Sequence, residues 1–109
     1  MEWRLKKNLI PDGYVFKMNL PVTSKIVAVK MSDTNSYGGK TPSPQPYLIT
    51  LTDNHDSTFA ERTFVLFTEG REVSPRDAEQ IRNGEMVFIG EFTLAVMTFY
   101  MFEDLSETA

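Results

Sequence analysis

The chain has 109 residues, a formal net charge of −4, one histidine and no cysteine, and 41% of it is hydrophobic. That length suits one domain with a modest core and leaves no room for a second. The missing thiols exclude disulfide staples, thiolate metal sites and cysteine nucleophiles. The acidic balance argues against general nucleic-acid binding, which relies on a clustered excess of Lys and Arg.

The first residues, Met1-Glu2-Trp3-Arg4-Leu5-Lys6-Lys7, carry charges where a secretory leader needs an apolar core, and no run approaches the ~20 apolar residues of a membrane span. A soluble intracellular protein that does not enter a membrane is the expectation. Residues 3–5 read as a short strand or ordered arm. Ile10-Pro11-Asp12-Gly13 is a turn, because Pro fixes φ and Gly supplies positive φ, and a hairpin is expected to start there. In residues 14–20, Tyr14, Phe16, Met18 and Leu20 alternate with Val15, Lys17 and Asn19, a half-buried strand ended by Pro21. The unbroken run Ile26-Val27-Ala28-Val29 predicts a more deeply buried strand over 25–31.

Residues 32–46 change character, with Gly38-Gly39 and prolines at 42, 44 and 46. They read as a long loop, and Trp3, Tyr47 and Tyr37 are candidate stacking groups for a base or peptide, of which Tyr37, on the loop, is the one expected outside the core. Residues 47–52 alternate Tyr47, Ile49 and Leu51 against Leu48, Thr50 and Thr52. After the turn Asp53-Asn54-His55-Asp56-Ser57 comes a strand over 61–68, and the two are expected to pair as an antiparallel hairpin. Ser74-Pro75-Arg76-Asp77 opens a short helix and Asn83-Gly84 stops it, which places the helix near 75–83 with a thin apolar stripe of Ala78 and Ile81. Residues 86–89, a break at Gly90-Glu91 and a strand over 92–102 complete the sheet, ahead of an acidic tail at 104–109.

Read as one strand, residues 92–102 are apolar on both sides. Phe92, Leu94, Val96, Tyr100 and Phe102 share one face and Ala95, Met97, Phe99 and Met101 the other. Such a strand needs cover on both faces, from a helix, a second sheet or another copy of the chain; a second copy is expected on one of them, the alternative being that the helix and the long loop cover it. Met97, Phe99 and Met101 are the candidate oligomer-interface residues.

Catalytic equipment is scarce. His55 lies among turn carboxylates that ordinarily cap backbone amides, and its neighbours Ser57 and Thr58 come with no oxyanion-hole signature. Gly38-Gly39-Lys40-Thr41 lacks the upstream glycine of a phosphate loop and is followed by Pro42. No catalytic residue, metal ligand or cofactor is expected. Arg62, Arg71 and Arg76, with Arg82, Lys6 and Lys7, would form an anion-binding surface if the fold gathered them.

Several segments resemble a small family of uncharacterised phage and prophage proteins, a domain of unknown function. The resemblance rests on Trp3, the strand ending at Leu20-Pro21, Ser24-Lys25-Ile26-Val27-Ala28-Val29, Arg62-Thr63-Phe64, Thr68-Glu69-Gly70, and Phe88-Ile89-Gly90-Glu91-Phe92 followed by residues 99–103. It spans most of the chain and departs from the family pattern at the 32–46 loop and the 74–84 helix. It implies phage origin and action in the host bacterial cytoplasm, and it transfers no functional residue.

The expected architecture is a mainly β domain over residues 1–103, an antiparallel sheet or sandwich of about six or seven strands with one short helix. The expected function is a non-enzymatic binding protein, a phage accessory or anti-defence factor that inhibits a host protein by occupying its surface. The alternatives are an oligomeric sponge for a nucleotide signal and a minor phage structural protein.

Overall fold

The computed structural model describes residues 2–32 and 44–106. These form β1 (Trp3–Leu9), β2 (Val15–Pro21), β3 (Lys25–Met31), β4 (Pro46–Asp53), β5 (Phe59–Thr68), α1 (Pro75–Arg82), β6 (Met86–Leu94) and β7 (Met97–Asp104). The fold is mainly β, as the alternation patterns predict. All pairing is antiparallel, in a three-stranded sheet of order β1-β4-β3 and a four-stranded sheet of order β2-β5-β7-β6.

Both hairpins expected from turn chemistry are instead crossovers between the sheets. Gly13, at φ 110°, turns the chain out of β1 and into β2 of the other sheet, pivoting on the buried Ile10. The 54–58 turn likewise carries β4 of the first sheet into β5 of the second. A tight turn sets a change of direction but not the partner strand, which is chosen by the faces that can be buried together. The hairpins that do form are β3–β4, whose connection lies mostly outside the described residues, and β6–β7.

The apolar core brings both sheets together. Leu48 from β4 packs with Phe16 and Leu20 of β2, Phe64 and Leu66 of β5, Phe92 of β6 and Met101 of β7. Where the sheets meet along β3 and β6, Gly90 lies so close to β3 that a Cβ there would sit 2.8 Å from Val29 Cγ2, and a β-bulge at Phe88–Gly90 accommodates the approach. β3 is not buried on both faces as its apolar run predicts. A bulge at Val27 breaks its register against β4, and Val27 is 48% exposed.

Beside the apolar core runs a polar network. Arg62 Nε and Nη2 donate to the two carboxylate oxygens of Glu103, each at 2.6 Å, and Nη1 donates to the Ser24 carbonyl at 3.0 Å. The Ser24 hydroxyl meets Thr52 Oγ1 at 2.9 Å, Thr52 Oγ1 donates to Thr50 Oγ1 at 3.2 Å, and Asn8 Nδ2 donates to the same oxygen at 3.0 Å. Ser24, Thr50, Thr52 and Glu103 are buried, and their side-chain oxygens find partners within this network, Glu103 in Arg62 and the hydroxyls in one another and Asn8.

The helix follows its sequence signals closely. Ser74 Oγ accepts from the Asp77 amide at 3.2 Å, Pro75 opens the first turn, and Gly84 turns left-handed at φ 85° just beyond the Asn83 cap. It packs against β6, whose Met86 is buried.

The single strand expected over 92–102 is in fact two strands and a turn. Ala95 and Val96 adopt φ 50° and 62°, and the chain folds back so that Leu94 pairs with Met97 and Phe92 with Phe99. These are the backbone signs of a type I′ turn, normally built from Asn and Gly. An apolar Ala-Val pair gives no such signal.

Two stability predictions follow from the network and the turn. Arg62→Met, which strands the Glu103 carboxylate, should lower urea-unfolding stability by about 3–5 kcal/mol. The double variant Arg62→Met/Glu103→Leu should recover much of that loss, and strictly additive effects would show that the two groups are not coupled. Ala95→Asn/Val96→Gly should raise stability by about 1–2 kcal/mol by relieving left-handed strain. An unchanged unfolding midpoint would show the turn to be unstrained.

Candidate binding surface

The three-stranded sheet turns its greasier side outward. The β1–β4 register sets Trp3 opposite Asp53, Leu5 opposite Leu51, Lys7 opposite Ile49 and Leu9 opposite Tyr47. The β3–β4 register adds Lys25, Ala28 and Lys30 to the same side. Thr50 and Thr52 point the other way, into the network, at 1% exposure each, while Trp3, Leu5 and Leu9 are 49%, 66% and 56% exposed. Lys7 lies over the Tyr47 ring with its ammonium 4.4 Å from the centroid, so its stem spreads across the face. The result is an apolar surface studded with Lys7, Lys25 and Lys30. Its one carboxylate, Asp53, is occupied in accepting from the His55 amide at 3.0 Å and the Glu2 amide at 3.4 Å.

The outer side of the four-stranded sheet differs. Phe102 packs edge-on against Phe67 and Phe88, at 5.5 and 5.6 Å between centroids, and Val65 is buried. Val15, Phe59 and Phe88 on this side are strongly exposed, and α1 lies against β6. Tyr100 donates its hydroxyl to Glu69 at 3.3 Å. Desolvation raises the phenol above its ordinary range, and the adjacent Glu69 charge adds to the effect.

Two of the pockets among the described residues bear on a binding role. One, of about 430 Å³, lies between the 10–14 turn, residues 44–46 and the β6–β7 hairpin, with Leu66, Phe92 and Phe99 in its wall. Asp12 is the only charged residue among its described lining, which suits an apolar group better than a phosphate. The other, of about 450 Å³, has Arg71 beside Glu72 and Asp77.

Arg62 is spent on Glu103 between the sheets, Arg71 lies 5.8 Å from the Tyr14 ring centroid, and Arg76 is exposed on the first turn of α1. Tyr37 falls outside the described residues. Of the three residues expected at an oligomer interface, Met101 is completely buried and Phe99 packs against the core and Phe92. Only Met97 offers substantial surface, at 43% exposure. His55 sits 3.7 Å from Glu2 at the exposed 54–58 turn, and the described residues hold no group of three or more metal-ligating side chains. No described helix is long and apolar enough to cross a membrane.

Of this face, the sequence points to Trp3 and Tyr47 as stacking groups and to Lys7 as part of an anion-binding surface, whereas Leu5, Leu9, Ile49 and Leu51 carry no signal of their own. Their alternation is visible in the sequence, but which side of 47–52 faces inward is not. Comparison with protein-family models, curated proteins and solved structures returned no match.

The turn that joins β4 to β5 supplies a pH test. Asp56 accepts from the Thr58 amide at 3.0 Å, the Thr23 amide at 3.0 Å and the Thr23 hydroxyl at 2.8 Å, and these bonds hold its carboxyl below the ordinary aspartate range. The Asp56 carboxylate should therefore titrate by NMR with a midpoint below the ordinary aspartate value. Its stabilising contribution should be present above that value and fade as pH falls through the lowered midpoint. Thr23→Val should move the midpoint upward, and no movement would show that the hydroxyl bond is absent in solution.

Proposed function

We propose that this chain is a non-enzymatic binding protein that acts by occupying the surface of a partner protein. The observation that carries the reading is the orientation of β4, with threonines inside and Tyr47, Ile49 and Leu51 outside, which leaves a broad apolar and lysine-bearing face on the β1-β4-β3 sheet. Isolated exposed apolar residues are ordinary, but a contiguous face is characteristic of an interaction surface. The resemblance to phage and prophage proteins supports a host bacterial protein as that partner, met in the cytoplasm by an accessory or anti-defence factor.

The nucleotide-sponge alternative draws less support. Within one protomer neither pocket gathers cations, and Arg62 is committed to an internal ion pair. Self-association through residues 92–102 also loses its first argument, because the β6–β7 hairpin buries Met101 and most of Phe99 in the chain's own core.

The test is a stoichiometric pull-down from bacterial extract with the native chain and with Leu5→Asp/Leu9→Asp, which changes two exposed side chains. One host protein should co-purify with the native chain, and its recovery should fall at least ~10-fold with the variant at unchanged unfolding midpoint. Equal recovery, or turnover of any nucleotide by the purified protein, would sink the proposal.

A further inference from the structure

We infer that β1 recognises its partner by strand addition, and that the occupant is an extended segment of another protein with apolar side chains on one face and carboxylates on the other. This inference rests on the surface-binding reading above and names its mode. The ladder between β1 and β4 begins with Asn54 N donating to Glu2 O at 2.6 Å and ends with Ile10 N donating to Pro46 O at 3.0 Å. In an antiparallel pair the hydrogen-bonded residues recur at every second position, so Glu2, Arg4, Lys6, Asn8 and Ile10 bond to β4. The amides and carbonyls of Trp3, Leu5, Lys7 and Leu9 therefore point to the open edge. Among the described residues no strand lies on that side.

The other edges are different. β3 and β6 shield each other where Val29 meets Gly90. β2 bonds to β5 through its even positions, bracketed by Tyr14 O and Val22 N, so Pro21, which has no N–H, occupies its open edge. β1 contains no proline, and its protection is charge alone, from Arg4, Lys6 and Lys7.

That charge also selects the occupant. A second β1 laid antiparallel along the first would set these cations against one another, and like charges on neighbouring strands destabilise a pair. A strand with carboxylates beside Arg4 and Lys6 meets the opposite condition, and its alternate residues fall beside Trp3, Leu5 and Leu9, extending the apolar face. Arg4 already accepts such a partner, since its guanidinium bonds the Glu2 carboxylate from the same side of β1.

The experiment uses the full chain, isotopically labelled, with an end-blocked peptide of alternating valine and glutamate matched to β1 in length. The peptide should bind, more weakly as salt rises, and should slow amide exchange at Trp3, Leu5, Lys7 and Leu9 at least ~10-fold while leaving Arg4, Lys6 and Asn8 unchanged. A lysine-for-glutamate peptide should bind at least ~10-fold more weakly. N-methylation at every valine should abolish binding if the added strand is antiparallel, and at every glutamate if it is parallel. Arg4→Glu/Lys6→Glu should reverse the preference toward the lysine peptide. Overturning results are absence of protection at millimolar peptide, indifference to both N-methylations, or equal binding of the two charge forms. Protection of the same four amides in a peptide-free dimer would assign the edge to a second copy. If the peptide fails while Leu5→Asp/Leu9→Asp still loses a captured host protein, the face binds without strand addition; if that capture is also unaffected, the surface reading itself falls.

Discussion

The ion pair of Arg62 and Glu103 is the constraint on which the rest of the structure depends. A guanidinium and a carboxylate placed between two sheets lose their hydration, and they are tolerable only where every remaining donor and acceptor finds a partner. Ser24, Thr52, Thr50 and Asn8 supply that company in a continuous chain of hydrogen bonds reaching from β7 to β1. Because side chains alternate along a strand, putting Thr50 and Thr52 inside forces Ile49 and Leu51 outside. The exposed face is thus a consequence of how the interior is solved. A one-residue slip of β4 would cover the apolar side and leave Arg62 and Glu103 facing leucine and isoleucine.

Strand routing then determines which edges stay open. The turns at 10–13 and 54–58 pass the chain from one sheet to the other, so sequence neighbours do not shield one another's edges. β3 and β6 are brought side by side and close one flank, with glycine at the point of nearest approach. β1 and β2 remain as edge strands of their sheets, and they are guarded by different means, cations on β1 and proline on β2. Proline blocks all pairing, whereas charge blocks only pairing with like charge. An edge protected by charge alone is selective.

Face and edge belong to the same strand, and this is what makes a binding role coherent. The residues whose amides point outward along β1, Trp3, Leu5, Lys7 and Leu9, are also those whose side chains lie on the outward apolar face. A segment docking there gains ladder hydrogen bonds and apolar contact together. The aromatic pocket beside the 10–14 turn is concave but nearly uncharged, and the turn carboxylates around His55 are engaged in capping amides.

Elements defined by local chemistry were legible in the sequence. The helix from Ser74 to Gly84, the strand alternation of 14–20, 47–52 and 61–68, and the mainly β class all follow from caps, turn residues and period-two patterns acting within a few residues. The extension of β1 through Lys6, Lys7 and Asn8 was not legible, because those residues have low strand preference and adopt it only when β4 supplies the ladder. Nor was the reversal at Ala95-Val96, where cross-strand pairing of Phe92 with Phe99 outweighs unfavourable turn residues. Composition and periodicity determined that this chain folds into strands with one helix. Tertiary structure alone decided which side of β4 is buried, since both sides of its alternation carry apolar residues and only the group across the core, here the Arg62–Glu103 pair that the threonines join, distinguishes them.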